Sequence, residues 1–186
     1  MTAEWHTPIT WAVDQLVTNE DLNEQVRDNL EFLYERPVTD YILIRDEKTQ
    51  NTSGGTFTSG AWQTRDLNTE VQDDGNHATL SSNQIMLETG TYYFRISAPA
   101  YQVGAHQIRL QNISDASTIA LGTSQRSGTA EAVVTRSMVS GVVTIAAAKT
   151  FEVQHYCQST NSTDGYGLAA NFDTEVYTIA EFWKVK

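Results

Sequence analysis

The sequence predicts a mainly β chain: an antiparallel β-sandwich or jelly roll, preceded by a short extended segment and one α-helix. Three observations predict it. Near residue 37 the spacing of apolar residues changes from about 3.6 to about 2. About eight short segments of strand length follow, separated by polar turn sequences. No helical pattern interrupts them, which favours antiparallel sheets.

A helix is expected at about residues 19–35. Thr18 suits the N-cap, with Asp21 as its partner at the third helical position. Pro37 ends the helix. Its apolar residues form one stripe, which must pack against something because a helix of about 17 residues is marginal alone in water. The stripe consists of Leu22, Val26, Leu30 and Leu33.

The β segments begin after residue 37, so we expect an N-terminal anchor at 1–37 and a jelly-roll knob at 38–186. The predicted strands lie at 41–45, 90–98, 107–113, 117–123, 132–147, 149–159 and 172–185. Glycine-rich and Asp/Asn-rich turns separate them, at 53–55, 73–76, 89–90, 127–128 and 161–165.

Composition excludes several classes of protein. The formal net charge is −11 and no Lys/Arg run is visible, which argues against nucleic-acid binding. No apolar run of about 18 residues exists, so membrane insertion is not expected. No signal peptide is visible, so the chain should stay where it is made until lysis. One cysteine, Cys157, excludes an intrachain disulfide and a cysteine-rich metal site.

Residues 11–33, WAVDQLVTNEDLNEQVRDNLEFL, resemble an N-terminal segment of tailed-phage structural proteins. In those proteins a Trp, a short loop and a D-L-N-x-x-V-R-D-N-L helix precede a variable distal domain. The resemblance implies a virion protein made in the bacterial cytoplasm. Trp5 and Trp11, in a segment without its own core, are expected to dock with the helix stripe on another virion protein. The alternative is that both fold back onto this chain.

The rest of the chain resembles a phage jelly-roll domain that is distantly similar to the complement and tumour-necrosis-factor (TNF) superfamily. The resemblance rests on GTFTSGAWQTRDLN (55–68), APAYQVGAHQIRL (98–110), EVQHYC (152–157) and EVYTIAEFWK (175–184). It implies a homotrimer with sandwich faces packed around an axis and loops turned outward. Tyr177 and Phe182 in the aromatic final strand would lie in that interface, because such a strand at a sheet edge invites aggregation. The alternative places the strand inside its own sheet.

Further interface residues are expected around the threefold axis. Either His106 or Arg109 would line a polar layer between subunits or contact a glycan. Tyr101 is an even number of residues from Arg109, so on a regular strand both side chains would point to the same face. Ordinary exposed strand positions are the alternative. His155 and Cys157 share a strand face, and we expect a structural role, buried or near the axis. A metal site or a nucleophile would need further ligands or a third orienting group.

Two polar loops are expected to face the host surface. The first contains Asp73, Asp74 and Asn76 around a glycine, and the second contains Asn161 and Asp164 with Tyr166 at its edge. Solvated turns are the alternative, and a Ca²⁺ site in the first loop is disfavoured by its spacing.

These expectations together predict a trimeric head spike, head fibre or tail-fibre knob that binds the host, without cofactor, metal or catalysis. Its partners would be capsid, portal, adaptor or tail proteins and a host-surface glycan. One rival is a decoration or adaptor protein with a purely structural role. The other is a small depolymerase, which is disfavoured because no carboxylate pair, phosphate loop or nucleophile motif is identifiable.

Overall fold

The computed structural model describes residues 5–35, 40–130 and 132–185. At Glu35 it describes the backbone but not the side chain. The chain forms two compact units, Met1–Val38 and Thr39–Lys186. Among the described residues, no helix has the length and apolar character needed to cross a membrane.

The helix of the first unit matches its predicted bounds. It is α-helical at Asn19–Leu22 and Asn29–Glu35 and π-helical at Asn23–Asp28. Thr18 and Asp21 form the expected capping box: the Asp21 amide donates to Thr18 Oγ1 (3.1 Å), and the Thr18 amide donates to Asp21 Oδ2 (2.9 Å). The predicted stop at Pro37 lies outside the described residues.

The second unit is an antiparallel β-sandwich, as predicted. Its strands are β1 (Asp40–Lys48), β2 (Gln63–Thr64), β3 (Thr69–Asp73), β4 (Ala78–Ser81), β5 (Gln84–Leu87), β6 (Gly90–Tyr101), β7 (Ala105–Asn112), β8 (Ser117–Leu121), β9 (Gln125–Arg126), β10 (Val134–Ile145), β11 (Lys149–Cys157) and β12 (Glu175–Val185). One sheet has five strands in the order β10-β6-β12-β1-β3. The other has seven, in the order β4-β5-β11-β7-β8, with β2 paired to β11 and β9 to β7.

The core lies between the two sheets and follows the alternation of each strand. On β12 the side chains of Ala180 and Phe182 are fully buried, and on β6 those of Tyr92 and Ile96 are. They pack against residues of the other sheet such as Phe151. A smaller apolar cluster sits beside this core and comprises Phe57, Ala100, Val103, Cys157 and Tyr166.

The position of β12 corrects the expectation of an exposed edge. The strand lies between β6 and β1 and is hydrogen-bonded on both sides. The long aromatic strand is therefore protected by its own sheet, and β10 and β3 are the edges of that sheet. The alternative considered from the sequence, an internal final strand, is the correct one.

Arg65 is a fully buried charged residue. Its Nε donates to Thr178 Oγ1 (2.9 Å), its Nη2 donates to the Tyr166 carbonyl (3.1 Å), and its guanidinium carbon lies 3.9 Å from the Tyr166 ring centroid. Burial lowers the pKa of Arg65 to about 10. At neutral pH the side chain remains charged, and it cross-links the loop containing Tyr166 to β12.

Candidate functional site

The outer face of the five-stranded sheet carries an aromatic and apolar row. Strand register aligns Val142, Tyr93, Trp183 and Tyr41 across four strands. The Tyr41 and Trp183 ring centroids are 5.3 Å apart. Tyr93 is 54% exposed and Val142 is 50% exposed. This sheet face thus carries a row of large side chains, of which Tyr93 and Val142 are about half exposed to solvent and Tyr41 and Trp183 are partly exposed.

A polar row runs beside the aromatic one. Arg95 donates from Nε and Nη2 to the Glu181 carboxylate (2.8 and 3.1 Å), and the Tyr41 hydroxyl donates to Glu181 Oε1 (2.9 Å). Partial burial would raise the pKa of Glu181, but these hydrogen bonds outweigh it and lower that pKa. Met138, 49% exposed on β10, extends the apolar surface. Protein interfaces are enriched in Tyr, Trp, Met and Arg, so this sheet face is the best candidate for self-association.

Most residues expected at the trimer interface lie inside a single chain. Because those side chains pack within their own sandwich, they cannot form a contact face with a neighbour. The interface placement is therefore corrected for Tyr101 (9% exposed), His106 (4%), Tyr177 (3%) and Phe182 (0%). His155 (0%) and Cys157 (0%) take the buried one of the two positions expected for them. Arg109 lies on the outer face of the seven-stranded sheet, where its guanidinium carbon is 4.3 Å from the Trp62 ring centroid.

The two buried histidines contact each other. His106 Nδ1 lies 2.9 Å from His155 Nε2, and His106 Nε2 lies 2.7 Å from Thr135 Oγ1. Burial, together with the nearby Arg65 charge, lowers the pKa of His106 to about 4 and holds that of His155 well below its usual range. Both rings are therefore neutral at pH 7. The described residues contain no cluster of three or more His, Cys, Asp or Glu side chains that would hold a metal ion.

Cys157 has the buried structural position that the sequence analysis favoured. Its Sγ lies 3.4 Å from the Ser159 carbonyl oxygen. Burial raises the pKa of Cys157 to about 11, so the side chain is a thiol at neutral pH. A nucleophilic role would require the thiolate.

The extended segment of the first unit runs along the helix. The His6 amide donates to Asn29 Oδ1 (2.8 Å), and Asn29 Nδ2 donates back to the His6 carbonyl (3.0 Å). The Ile9 amide donates to Gln25 Oε1 (3.1 Å). The Trp5 and Phe32 ring centroids are 5.7 Å apart. Trp5 thus folds back onto the helix in part.

Within the first unit, the residues expected to dock on another protein are all substantially exposed. Trp5 is 44% exposed and Trp11 is 41% exposed. The side chains of the apolar helix stripe are more exposed: Leu22 is 52% exposed, Val26 is 49% exposed, and Leu30 and Leu33 are each 60% exposed. The extended segment does not cover this stripe, so the apolar face of the helix remains available.

The first polar loop uses its carboxylates to build a turn. Asp73 accepts hydrogen bonds from the amides of His77 (3.0 Å) and Ala78 (2.8 Å), and Asp74 Oδ2 accepts from the Tyr41 amide (3.3 Å). Asn76 is exposed and has a φ of 52°, which Asn tolerates better than most residues. The Asn76 amide donates to the Asp73 carbonyl (3.5 Å), so Asn76 shapes the turn through its backbone while its side chain is exposed.

The second polar loop has one corrected residue. Asn161 Oδ1 accepts from the amides of Thr163 (3.0 Å) and Asp164 (3.1 Å), so its side chain shapes the turn. Tyr166 is 8% exposed and its ring packs 4.6 Å from that of Phe57, beneath Arg65. It therefore belongs to the interior and does not face the host surface.

Comparisons with known proteins support the fold. No family model and no curated protein matches the sequence. The crystal structure of murine APRIL matches with a TM-score of 0.50 and 8% identity, over 79% of this chain and 99% of that one. The globular domain of zebrafish complement 1qA matches with a TM-score of 0.45 and 14% identity, over 81% and 98% of the two chains. The PRD1 vertex protein P5 matches with a TM-score of 0.49 and 15% identity, over 81% of this chain and 100% of that one. The match to murine APRIL supports the fold alone, an antiparallel β-sandwich of the jelly-roll type.

Proposed function

We propose that the chain is a bacteriophage virion structural protein that forms a homotrimer, a head spike, head fibre or tail-fibre knob. Residues 39–186 form the distal knob, and the first unit attaches it to the particle. The observation that carries this proposal is that each unit leaves one apolar face uncovered: the sheet face around Tyr93 and Trp183, and the helix stripe around Leu30. The resemblance of residues 11–33 to phage structural proteins supports the virion assignment.

The sheet face is assigned to contacts between copies of the knob. A symmetric oligomer buries the same patch on each copy, and the flat row of Tyr93, Trp183 and Tyr41 suits such packing. The Arg95–Glu181 pair would fix the register of the contact. Threefold symmetry is what the resemblance to trimeric jelly rolls implies.

The helix stripe is assigned to another virion protein, of the capsid, portal, adaptor or tail. Apolar side chains at helical spacing fit a groove on a partner. Trp5 and Trp11 add large rings to the same unit, and Trp residues are enriched among interface residues that carry binding energy.

Host binding is assigned to the knob. Three copies on one appendage, and many appendages on one particle, turn weak single-site contacts into firm attachment. A binding role accords with Cys157, whose side chain is buried and protonated at neutral pH and is therefore not an activated nucleophile.

Particle incorporation tests the attachment role. The double variant Leu30→Asp/Leu33→Asp should keep the native mass of the wild type yet fail to co-sediment with particles of the phage that encodes the chain. Arg27→Asp, on the same helix with an exposed side chain, is the matched control and should incorporate normally. Full occupancy by the double variant would refute the attachment role.

Adsorption tests the host-binding role. An antibody fragment against the knob should block adsorption of particles to cells. If particles adsorb normally with the knob covered, the protein is a structural decoration or adaptor.

A further inference from the structure

A cleft of about 740 Å³ opens on the knob where four separate segments meet. The loop before β2 contributes Trp62, the start of β7 contributes Gln107, the segment at β9 contributes Gln125, and the end of β11 contributes Tyr156 and Gln158. The volume lies in the range of small-molecule binding sites, about 300–1,000 Å³. Of these residues, only Gln158 belongs to a segment that the sequence marked for function, the start of the second polar loop; the other four carried no such signal.

Two aromatic rings form one wall of the cleft. The rings of Trp62 and Tyr156 meet edge to face, with centroids 5.7 Å apart, and Tyr156 is 38% exposed. Trp62 also contacts Arg109, whose guanidinium carbon lies 4.3 Å from the ring centroid in a cation–π arrangement. Arg109 in turn donates from Nε and Nη2 to Gln154 Oε1 (2.9 and 2.7 Å). The aromatic wall is therefore fixed before any ligand arrives, which lowers the cost of binding.

The remaining lining combines small residues, His106 and Cys157 with uncharged amide and hydroxyl groups. Amide and hydroxyl groups come from Gln107, Gln125 and Gln158 and from the serines at 59 and 124. Gln158 Oε1 accepts from the Ala105 amide (3.1 Å), and Gln107 Nε2 donates to the Gly122 carbonyl (2.7 Å), so both amides are oriented. None of the described lining residues is Asp, Glu, Lys or Arg, in a chain with 23 acidic and 12 basic residues.

We infer that this cleft binds an uncharged pyranose of a surface glycan. An aromatic ring packs against the C–H face of a pyranose, and amide and hydroxyl groups hydrogen-bond its hydroxyls. A cation would need carboxylates and an anion would need cations, and the lining offers neither. The inference rests on the proposed function in one respect, because the host surface supplies the glycan.

The test is saturation-transfer NMR of the full chain with a panel of neutral methyl glycosides: glucoside, galactoside, mannoside, rhamnoside and N-acetylglucosaminide. At least one should bind the wild type. Trp62→Ala and Tyr156→Ala should each weaken that binding by about tenfold or more, as expected on truncating an aromatic contact residue. Phe172→Ala is the matched control, an aromatic residue 90% exposed in a loop away from the cleft lining, and should bind as the wild type does.

Folding of each variant is checked by native mass and melting temperature, and Trp62→Tyr, which keeps an aromatic ring, should retain most of the binding. If no glycoside of the panel binds, or if binding survives both alanine substitutions, the inference is overturned. Co-sedimentation of the wild type with particles is measured in parallel. If the wild-type protein co-sediments with particles but binds no sugar, only the inference about the cleft is rejected. If it does not co-sediment with particles, the proposed function is rejected.

Discussion

Phe182 and Trp183 are neighbours on β12 with opposite environments. Phe182 is fully buried between the two sheets, whereas Trp183 lies on the outer face of its sheet with its ring centroid 5.3 Å from that of Tyr41. Alternation along a strand produces this division. One side chain therefore stabilises the fold of a single chain, and the other is free to stabilise contacts between chains.

Substitution of the two neighbours should separate folding from assembly. Phe182→Ala removes a buried ring and should lower the free energy of unfolding by about 3–5 kcal/mol. Trp183→Ala should change the stability of the monomer much less and weaken the oligomer instead. Urea unfolding at fixed protein concentration, together with native mass, distinguishes the two. Equal effects of both substitutions on unfolding would contradict the division.

A charge placed in the aromatic row should dissociate the oligomer. Val142→Arg puts a cation on the outer face, next to Tyr93 in register, and burying it unpaired at an interface is costly. The dissociation constant should rise by about 100-fold or more. Sedimentation velocity over a concentration series measures this, with Phe172→Arg as the control on an exposed loop. An unchanged oligomer in Val142→Arg would exclude this face as the contact.

Stability should fall as the pH drops from about 6.5 towards 4. The folded-state pKa of His106 is about 4 and that of His155 is also lowered, so the unfolded chain binds protons first in this range. The two neutral histidines contribute their full stability above the pKa that histidine has in the unfolded chain, about 6.5. This contribution is lost as the pH falls towards the lower pKa of the folded state. For His106 the loss between pH 7 and 5 is about 2 kcal/mol.

Urea unfolding at pH 7 and pH 5 checks this dependence. His106→Gln should flatten the change in unfolding free energy between the two pH values. Thr174→Gln, which alters an exposed residue without a titratable side chain, should leave it unaltered. An equally steep change in His106→Gln would show that other groups cause the loss.

Removal of the Asn29 side chain should release the extended segment from the helix. Asn29 both accepts from the His6 amide and donates to the His6 carbonyl. Asn29→Ala should therefore reduce the protection of the His6 amide against hydrogen exchange by about fivefold, corresponding to about one hydrogen bond. Asn23→Ala is the control on the same helix. Unchanged protection in Asn29→Ala would mean that other contacts hold the segment.

The sequence predicted the architecture well because local rules determine it. The capping pair Thr18 and Asp21 placed the start of the helix, and alternation identified the long strands. It missed the short strands from β2 to β5 because strands of two to five residues between turns carry little periodicity.

The interface residues were predicted less well, for identifiable reasons. Tyr177 and Phe182 were assigned to the interface for their aromatic character, but both are buried within the chain. The aromatic residue of β12 on the outer face of the sheet is Trp183, which the sequence analysis did not single out. The burial of Tyr166 depends on Arg65, about a hundred residues away, and a single Arg in a sequence gives no sign of being buried. The cleft draws on four segments that are distant in the chain, so no local motif marks it.

The native mass of the purified full-length chain, measured alongside residues 39–186 alone, tests the central claim most directly. Both should have three times the mass of their single chain, because the proposed contact face belongs entirely to the knob. A monomeric knob would contradict the claim and leave the aromatic row around Tyr93 and Trp183 to a partner of a different kind.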